Sequence, residues 1–276
     1  MIMVGGPVEK HNPLKKSILQ SELLRDGKTQ IEEISFDMVK RIALKYGLAT
    51  DVLYQMSAGK EASIFLALWK NHPIILKVYR IWHSSHSLSK SKGYVAPGTA
   101  KRSYVITDMI ESLAVLEYDL LSTLFKAGAH VPTPIGRIGN FVSMRFIGDG
   151  EVPAPQLREI TLEEPERVMN QIFDDYLIMY RDVHHVHGDL SQYNILFWQD
   201  RPWIIDVPQA EKVDKHCNML KIEKMLLRDI ENVLSYFEQY DISRDPESIL
   251  EVFLESYIPD NKRHYRELVP EGLELV

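Results

Sequence analysis

Apolar and polar residues alternate with two different periods along this chain, and the two periods divide it into two parts. Short apolar runs separated by polar turns predict three consecutive strands over residues 52–79, with a turn at residues 70–73. Elsewhere apolar residues recur mostly every three or four positions, which predicts helices. The predicted helices cover residues 14–26, 35–46, 108–127, 217–240 and 246–257.

Further elements fill the middle of the chain. A turn at Gly139-Asn140 separates two short predicted strands, and the pair Thr161 and Glu164 predicts a capping box ahead of a long helix that ends near Asp182. A loop and a tight hairpin follow. The order of strands, one helix, strands and then mainly helices predicts an α+β fold of two lobes, a small β-rich N-lobe and an α-rich C-lobe.

Glycine and proline crowd together between residues 147 and 155, which predicts the junction between the lobes there. We therefore divide the chain into an N-terminal helical extension at 1–50, an N-lobe at 51–147 and a C-lobe at 148–276. Within the N-lobe, residues 80–107 are polar and poorly periodic, with five basic residues, six serines and no acidic residue. We predict that they form a mobile loop.

Composition narrows the function classes. The chain has 276 residues, 45% of them hydrophobic, a formal charge of −7 and one cysteine, Cys217. These values are typical of a globular protein in a reducing compartment, and they disfavour a globally basic nucleic-acid binder. No apolar stretch approaches the roughly 18 residues that span a bilayer, and no signal peptide is evident. We expect a soluble, cytoplasmic protein without a membrane partner.

The strongest chemical signal lies in the run His187-Gly188-Asp189-Leu190-Ser191-Gln192-Tyr193-Asn194, which is followed by a hairpin that ends at Asp206. Protein kinases place an Asp and an Asn five positions apart in the catalytic loop, and a metal-binding Asp beyond a short hairpin. In that arrangement Asp189 accepts or orients the proton of the attacking hydroxyl, while Asn194 and Asp206 bind Mg²⁺. A solvated turn is the alternative for any one of these residues alone.

A lysine inside an apolar strand is the second signal. Lys77 lies in the run Ile74-Ile75-Leu76-Lys77-Val78-Tyr79, where burial requires a partner for its charge. Glu117 lies on the apolar face of the predicted helix 108–127 and is the candidate partner, together with the phosphates of ATP. The alternative is that Lys77 lies on a solvated face and Glu117 only borders the apolar stripe.

The third signal is the turn Ser57-Ala58-Gly59-Lys60-Glu61-Ala62 between two predicted strands. Backbone N–H groups in such a turn can bind phosphates. It lacks the residues of a Walker A loop and of the usual kinase glycine-rich loop. On its own the turn is more often an ordinary hairpin.

Six motifs together resemble the RIO kinases, especially the branch typified by the first-named member. They are SAGKEA, LKVY, MRFIG, VPAPQL, HGDLSQYN and IIDVPQ, and they extend from about residue 50 to 240. The resemblance implies a minimal bilobal kinase fold without an activation segment or peptide-docking helices. Gly188 in place of the usual Arg also disfavours control by activation-loop phosphorylation.

Carried over to this sequence, the resemblance implies ATP as substrate and Mg²⁺, with Mn²⁺ as an alternative, as cofactor. Asp189 would be the catalytic acid or base, Lys77 with Glu117 the phosphate-binding pair, and Asp206 a metal ligand that is also a candidate aspartyl-phosphate site. Asn194 would be the second metal ligand. The nucleotide would contact the phosphate loop and the strand between the lobes, through Ser57, Gly59, Lys60, Met144, Arg145 and Ile147.

The resemblance also implies a role in maturation of the small ribosomal subunit, with the pre-subunit particle or its RNA and proteins as partner. The basic residues of 80–107 suit contact with RNA phosphates, or they form an ordinary solvated loop. The serines there predict autophosphorylation within residues 84–103. Two alternatives stay open: a small-molecule kinase of the aminoglycoside or choline type, and an ATP-switched assembly factor with little phosphotransfer.

Overall fold

A computed structural model describes residues 35–59, 61–79 and 100–267, and of residues 100–109 it describes the backbone alone. The predicted helix at 14–26, Lys60 and most of the serine-rich stretch lie outside the described residues. Among the helices of the described ranges, none is long and apolar enough to cross a membrane.

Five antiparallel strands form the sheet of the N-lobe. They are β1 (Asp51–Ala58), β2 (Ala62–Trp69), β3 (His72–Tyr79), β4 (Pro134–Ile138) and β5 (Phe141–Arg145), in the spatial order β1-β2-β3-β5-β4. The turn between β2 and β3 is shorter than predicted, because Lys70 and Asn71 both adopt left-handed conformations (φ 47° and 69°) and close a two-residue hairpin. His72 and Pro73 therefore belong to β3.

A short helix covers one part of the sheet. Helix α1 (Phe36–Lys45) begins after Ser35, whose side chain accepts a hydrogen bond from the Met38 N–H, and this confirms the helix predicted at 35–46. Its buried face packs with Phe65 and other apolar residues of the strands. The buried residues of that face are Val39, Ile42 and Ala43.

The long helix of the N-lobe begins earlier than the sequence predicts. Helix α2 (Ala100–Ala127) includes residues 100–107, which we had assigned to the mobile loop 80–107. That assignment is wrong for these eight residues, because a helix that has formed extends by one hydrogen bond per residue and needs no apolar stripe to do so. The part of α2 that is predicted correctly buries Ile110, Ala114, Leu121 and Leu124 in the main hydrophobic core.

Three helices build the C-lobe: α3 (Pro165–Arg181), α4 (Met219–Phe237) and α5 (Pro246–Ser256). The predicted capping box at Thr161 is wrong. Helix α3 starts later, after Glu164, whose side chain makes no capping hydrogen bond. Pro165 lies in its first turn, and this residue favours the start because a proline suits the first helical position. The three helices enclose a core of large side chains that includes Tyr176, Phe237 and Phe253.

Short strands and 3₁₀ turns connect these helices. The hairpin predicted before Asp206 is formed by β9 (Ile195–Trp198) and β10 (Arg201–Ile204). The other strands are β6 (Gly148–Asp149) paired with β7 (Val152–Pro153), and β8 (His185–Val186) paired with β11 (Glu211–Lys212). The 3₁₀ turns are Leu157–Glu159, Glu238–Tyr240 and Asp260–Lys262.

Strands β6 and β7 lie in the glycine- and proline-rich segment after β5, and the lobe boundary assigned to that segment stays a prediction. Only residues 207–218, which contain the two-residue strand β11, separate Asp206 from α4. This segment is too short for an activation segment with its usual docking elements. The architecture is the bilobal α+β fold that the sequence predicts.

Candidate active site

The cleft between the lobes brings together three charged residues that are far apart in the sequence. The Lys77 Nζ lies 2.6 Å from Glu117 Oε1 and 2.7 Å from Asp206 Oδ1. Lys77 and Glu117 are buried, whereas the side chain of Asp206 is 46% exposed. Burial alone would lower the pKa of Lys77, but the charges of Glu117 and Asp206 outweigh it and raise that pKa. Lys77 is therefore a fixed cation at the base of the cleft.

The sequence predicts the pairing of Lys77 with Glu117 correctly, but we did not predict a fourth member of this cluster. The Tyr79 hydroxyl donates a hydrogen bond of 2.6 Å to Glu117 Oε2. The two oxygens of the Glu117 carboxylate thus have different partners, Lys77 and Tyr79, which point to the same side of β3. The only sequence signal was the presence of Tyr79 in the LKVY motif.

The catalytic loop holds Asp189 and Asn194 together. The Asn194 Nδ2 donates to the backbone oxygen of Asp189 at 2.8 Å and to its Oδ2 at 3.2 Å. The Asn194 carbonyl oxygen then remains the side-chain group suited to a metal ion. Asn194 precedes the first strand of the hairpin and Ile205 follows the second, and the Ile205 N–H donates to the Asn194 backbone oxygen at 2.9 Å. Asn194 and Asp206 therefore flank the open end of one short hairpin.

A buried carboxylate that the sequence analysis missed supports this loop from below. Asp229, on α4, accepts hydrogen bonds from the Gly188 N–H (2.7 Å), the Leu190 N–H (3.3 Å) and the Tyr176 hydroxyl (2.7 Å). Burial raises the pKa of Asp229, although these hydrogen bonds oppose the effect. The backbone on both sides of Asp189 is thus attached to one rigid helix.

Gly188 has a conformation and surroundings that exclude a side chain. Its φ is +81°, and a Cβ there would lie 2.8 Å from Met225 Cε and 2.9 Å from the Gln209 backbone oxygen. The segment after Asp206 therefore fills the space beside the catalytic loop. This contact is the physical reason why the position before Asp189 holds glycine instead of the usual arginine.

Asp206 and His187, two residues of the candidate site, have constrained conformations. Asp206 has a left-handed backbone (φ 64°), which is uncommon for a residue other than glycine. His187 is fully buried between the loop and the hairpin: its Nε2 lies 3.1 Å from the Ile205 carbonyl oxygen, and its Nδ1 accepts from the Asp189 N–H at 3.3 Å. Because Nδ1 accepts a backbone N–H and Nε2 faces a carbonyl oxygen, the geometry assigns the ring proton to Nε2. Burial lowers the pKa of His187.

The predicted phosphate loop lies at the tip of the hairpin of β1 and β2. Ser57 is an exposed residue of β1, and the Gly59 N–H donates to the Ala62 backbone oxygen at 2.9 Å, which closes the turn. The pKa of Glu61 is raised by partial burial and then by the negative charges of Asp206 and Asp189. Glu61 is therefore near enough to Asp206 and Asp189 to be affected by their charges, and the role of the loop in phosphate binding stays a prediction.

The predicted adenine-binding strand has two backbone groups with protein partners. The Arg145 N–H donates to the Thr133 oxygen at 2.8 Å, and the Ile147 oxygen accepts from the Ala154 N–H at 2.9 Å. The candidates for adenine are therefore the carbonyl of Arg145 and the N–H of Ile147. Met144 is buried and pairs with Ile75 of β3, so it lies beside these groups on the same strand.

Two residues of the N-lobe, Arg145 and His130, contact the hairpin of β9 and β10, which is the predicted metal-site hairpin. The Arg145 guanidinium lies 5.2 Å from the ring centres of Trp198 and Trp203, one on each strand of the hairpin. The backbone oxygen of His130, before β4, accepts from the Ile204 N–H at 2.9 Å. The His130 ring also pairs with Asp175 of α3 through Nδ1 and Oδ2 at 2.9 Å. The hairpin is thus attached to both lobes.

The donor set fits the predicted magnesium ion. Asp206 and Asn194 offer a carboxylate oxygen and an amide oxygen, the hard ligands that Mg²⁺ prefers. In the described ranges, no group of three or more His, Cys, Asp or Glu residues forms a metal site. A two-ligand site is nevertheless typical of Mg²⁺ that is bound jointly by the protein, water and phosphates.

The fold and the cleft define a chain of the protein-kinase-like class. Comparison with solved structures agrees: the Rio2 kinase–ADP/Mg²⁺–phosphoaspartate complex from Chaetomium thermophilum superposes with a TM-score of 0.65 at 18% identity, and the match covers 86% of this chain and 74% of that one. At this identity the likeness establishes the fold, and it confirms the predicted kinase-like α+β class.

The sequence comparisons give the family. Residues 62–249 match the RIO domain (RIO1). The RIO-type serine/threonine-protein kinase Rio1 of Thermoplasma acidophilum is 36% identical over 135 residues, which are 49% of this chain and 68% of that protein. Serine/threonine-protein kinase RIO1 of Homo sapiens is 28% identical over 229 residues, 80% of this chain but 38% of that protein. This chain belongs to the RIO domain family.

Proposed function

We propose that this chain is an atypical serine/threonine kinase of the first RIO branch, which binds ATP with Mg²⁺ and transfers or hydrolyses the γ-phosphate. The observation that carries the proposal is the buried Lys77, which contacts Glu117 and Asp206 at 2.6 and 2.7 Å. A cation held this way at the base of a cleft suits the phosphates of a nucleotide. The names of the relatives, most of them Rio1, support the kinase activity and the branch.

The roles of the residues follow from their positions. Lys77 would exchange a carboxylate for phosphate oxygens, and the Arg145 carbonyl with the Ile147 N–H would bind adenine. The bound Mg²⁺, held by Asn194 and Asp206, would neutralise charge on the phosphates. Asp189 would orient the attacking hydroxyl and take its proton as the new oxygen–phosphorus bond forms and the bond to the β-phosphate oxygen breaks, with ADP as the leaving group.

The identity of the acceptor is a separate part of the proposal. A seryl or threonyl hydroxyl makes the chain a kinase, and water makes it an ATPase. If the Asp206 carboxylate attacks instead, the product is an acyl phosphate on Asp206 plus ADP. The phosphoaspartate in the name of the Chaetomium thermophilum complex supports this third acceptor. The left-handed backbone of Asp206, which presents a half-exposed carboxylate beside Lys77, is compatible with it.

The cellular role is proposed from the family resemblance alone. We propose that the chain acts in the cytoplasm on the pre-small-ribosomal-subunit particle, and that the serines within residues 84–103 accept phosphate from the same molecule. The chain spans 68% of the Thermoplasma relative but only about two fifths of two eukaryotic ones, 39% of the Dictyostelium protein and 38% of human RIO1.

The test uses ATP labelled at the γ-phosphate with the wild type, Asp189→Ala, Asp206→Asn and a matched control, Asp174→Asn, at an exposed acid of α3. We expect label transfer and phosphate release in the wild type and the control, and the loss of both in the two site variants. Acid-stable label indicates phosphoserine, and hydroxylamine-labile label indicates an acyl phosphate. Activity that survives both site substitutions would show that the site is elsewhere.

A further inference from the structure

Tyr79 places a hydroxyl where packing alone would favour phenylalanine. Its side chain is fully buried (0% exposed), and Lys77 lies two positions earlier on the same face of β3. The hydroxyl donates to Glu117 Oε2 at 2.6 Å, while Lys77 binds Glu117 Oε1 at the same distance. Each oxygen of the Glu117 carboxylate therefore has its own donor from β3.

The charge balance of the cluster explains why this donor is neutral. Lys77 brings one positive charge to two carboxylates, those of Glu117 and Asp206. Glu117 is 1% exposed, so an oxygen without a donor there would lose its hydration without compensation. Burial first, and then the charge of Glu117, raise the pKa of Tyr79 far above its usual value. The hydroxyl thus stays a donor throughout the physiological pH range.

The backbone of Tyr79 is held independently of α2. Its N–H donates to the Asn140 oxygen at 3.0 Å, and the Asn140 Nδ2 donates back to the Tyr79 oxygen at 2.6 Å. Asn140 is itself buried (1% exposed), in the turn between β4 and β5. Tyr79 is therefore fixed to the sheet at the end of β3, and the helix that carries Glu117 is held against that fixed point.

We propose that Tyr79 is a positioning residue that holds the Glu117 carboxylate, and with it α2, so that Lys77 faces the nucleotide phosphates. The inference rests on the proposed kinase or ATPase function and deepens it. Only twelve residues, 207–218, separate Asp206 from α4 in this chain. The Tyr79 hydroxyl would therefore keep the Lys77–Glu117 pair in place, which in other kinases is controlled by the activation segment. Without the hydroxyl, Glu117 loses the donor at Oε2 and its carboxylate can rotate away from Lys77, whose other partner is Asp206.

The kinetic test is a double-mutant cycle of Tyr79→Phe and Glu117→Ala. Phenylalanine keeps the ring, so only the hydrogen bond is lost. We expect kcat/KM for ATP to fall about 10- to 100-fold, the range of a hydrogen bond to a charged group. In the Glu117→Ala background the same change should cost less than about twofold, because its target is gone. An equal effect in both backgrounds, or none in the wild type, would overturn the proposal.

Tyr180→Phe is the matched control, because its buried hydroxyl donates to the Tyr257 oxygen at 2.9 Å in the C-lobe. It should lower the melting temperature in a similar way but leave kcat and KM unchanged. If both tyrosine variants lose activity in parallel with stability, Tyr79 is only structural and the proposal fails.

A second measurement needs no turnover, and so it separates this inference from the proposed function. Lys77 is labelled with an amine-reactive reagent, and the modified peptide is quantified by mass spectrometry. We expect several-fold faster labelling in Tyr79→Phe than in the wild type and Tyr180→Phe, because Lys77 loses a fixed partner. Unchanged labelling would overturn the role of Tyr79 even if the enzyme is active, and faster labelling would support it even if ATP turnover proves absent.

Discussion

The attachment of the catalytic loop to Asp229 leads to the sharpest expectation. Asp229→Asn keeps the size of the side chain but replaces one acceptor oxygen by an NH₂ group. The Asn oxygen can serve the Gly188 N–H and the Tyr176 hydroxyl, which share Oδ2, while the NH₂ then faces the Leu190 N–H that Oδ1 accepted at 3.3 Å. One buried N–H loses its acceptor, and two other hydrogen bonds lose the charge that strengthens them.

These losses can be converted into a magnitude. An unsatisfied buried N–H costs about 1–3 kcal/mol, and hydrogen bonds to charged groups exceed neutral ones by about 1 kcal/mol each. We therefore expect the free energy of unfolding to fall by about 3–5 kcal/mol, a large part of the roughly 5–15 kcal/mol that stabilises a typical protein. The removal of the desolvation cost of the Asp229 charge offsets part of this loss.

The assay combines urea unfolding with turnover at a temperature where the variant is still folded. We expect at least a tenfold loss of kcat, because Asp189 lies between the two residues that Asp229 anchors. Tyr176→Phe is the comparison: it removes one donor to the charged carboxylate and keeps the charge, so about 1.5–3 kcal/mol should be lost with little effect on kcat. A fully stable Asp229→Asn, or one that is destabilised but turns over at the wild-type rate, would refute the reasoning.

Two further predictions concern the same loop. Gly188→Ala should destabilise the chain by about 2–4 kcal/mol in urea unfolding, because its Cβ would lie 2.9 Å from the Gln209 oxygen. Gly128→Ala is the control, since Gly128 has φ +94° but nothing within 4 Å of a Cβ, and it should cost only about 1 kcal/mol. Equal costs in the two variants would contradict the clash at Gly188. Burial lowers the pKa of His187, so the unfolded chain takes up a proton at this residue before the folded chain does as the pH falls. The contribution of His187 to the free energy of unfolding is therefore fully present above about pH 6.5. Below that pH it declines by at most about 1.4 kcal/mol per pH unit. His187→Gln should lack this part of the decline between pH 6.5 and 5.5, and an unchanged slope would show that His187 does not contribute.

Residues whose chemistry conflicts with their surroundings were the ones that sequence reasoning placed well. Lys77 in an apolar strand and Glu117 on an apolar helix face each require a partner, and the structure pairs them. The same signal was present for Asp229, which lies between Leu226, Ile230 and Val233 on the buried face of α4, but it was not used. A buried acidic residue in a helix can thus mark either a residue of the site, such as Glu117, or a residue that holds the site in place, such as Asp229.

Contacts made through loops could not be predicted. The pairing of Lys77 with Asp206 joins residues 129 positions apart, and it depends on a left-handed backbone at Asp206 that no local pattern indicates. The early start of α2 was missed because the polar, poorly periodic sequence of residues 100–107 shows no helical pattern. Tyr79 looked like an ordinary strand residue, because burial of a ring does not reveal where its hydroxyl points.

The attachment of the metal-site hairpin to both lobes has a consequence for how the cleft opens. Arg145 pairs with Ile74 at one end of β3, whereas Ala62, next to the phosphate loop, pairs with Tyr79 at the other end, about 17 Å away along the strand. A rotation of the lobes would therefore have its axis near Arg145 and the hairpin, and the phosphate loop would travel furthest. If the chain binds ATP as proposed, the cleft should open widest at the phosphate loop, and a departing nucleotide would free its phosphates before its base.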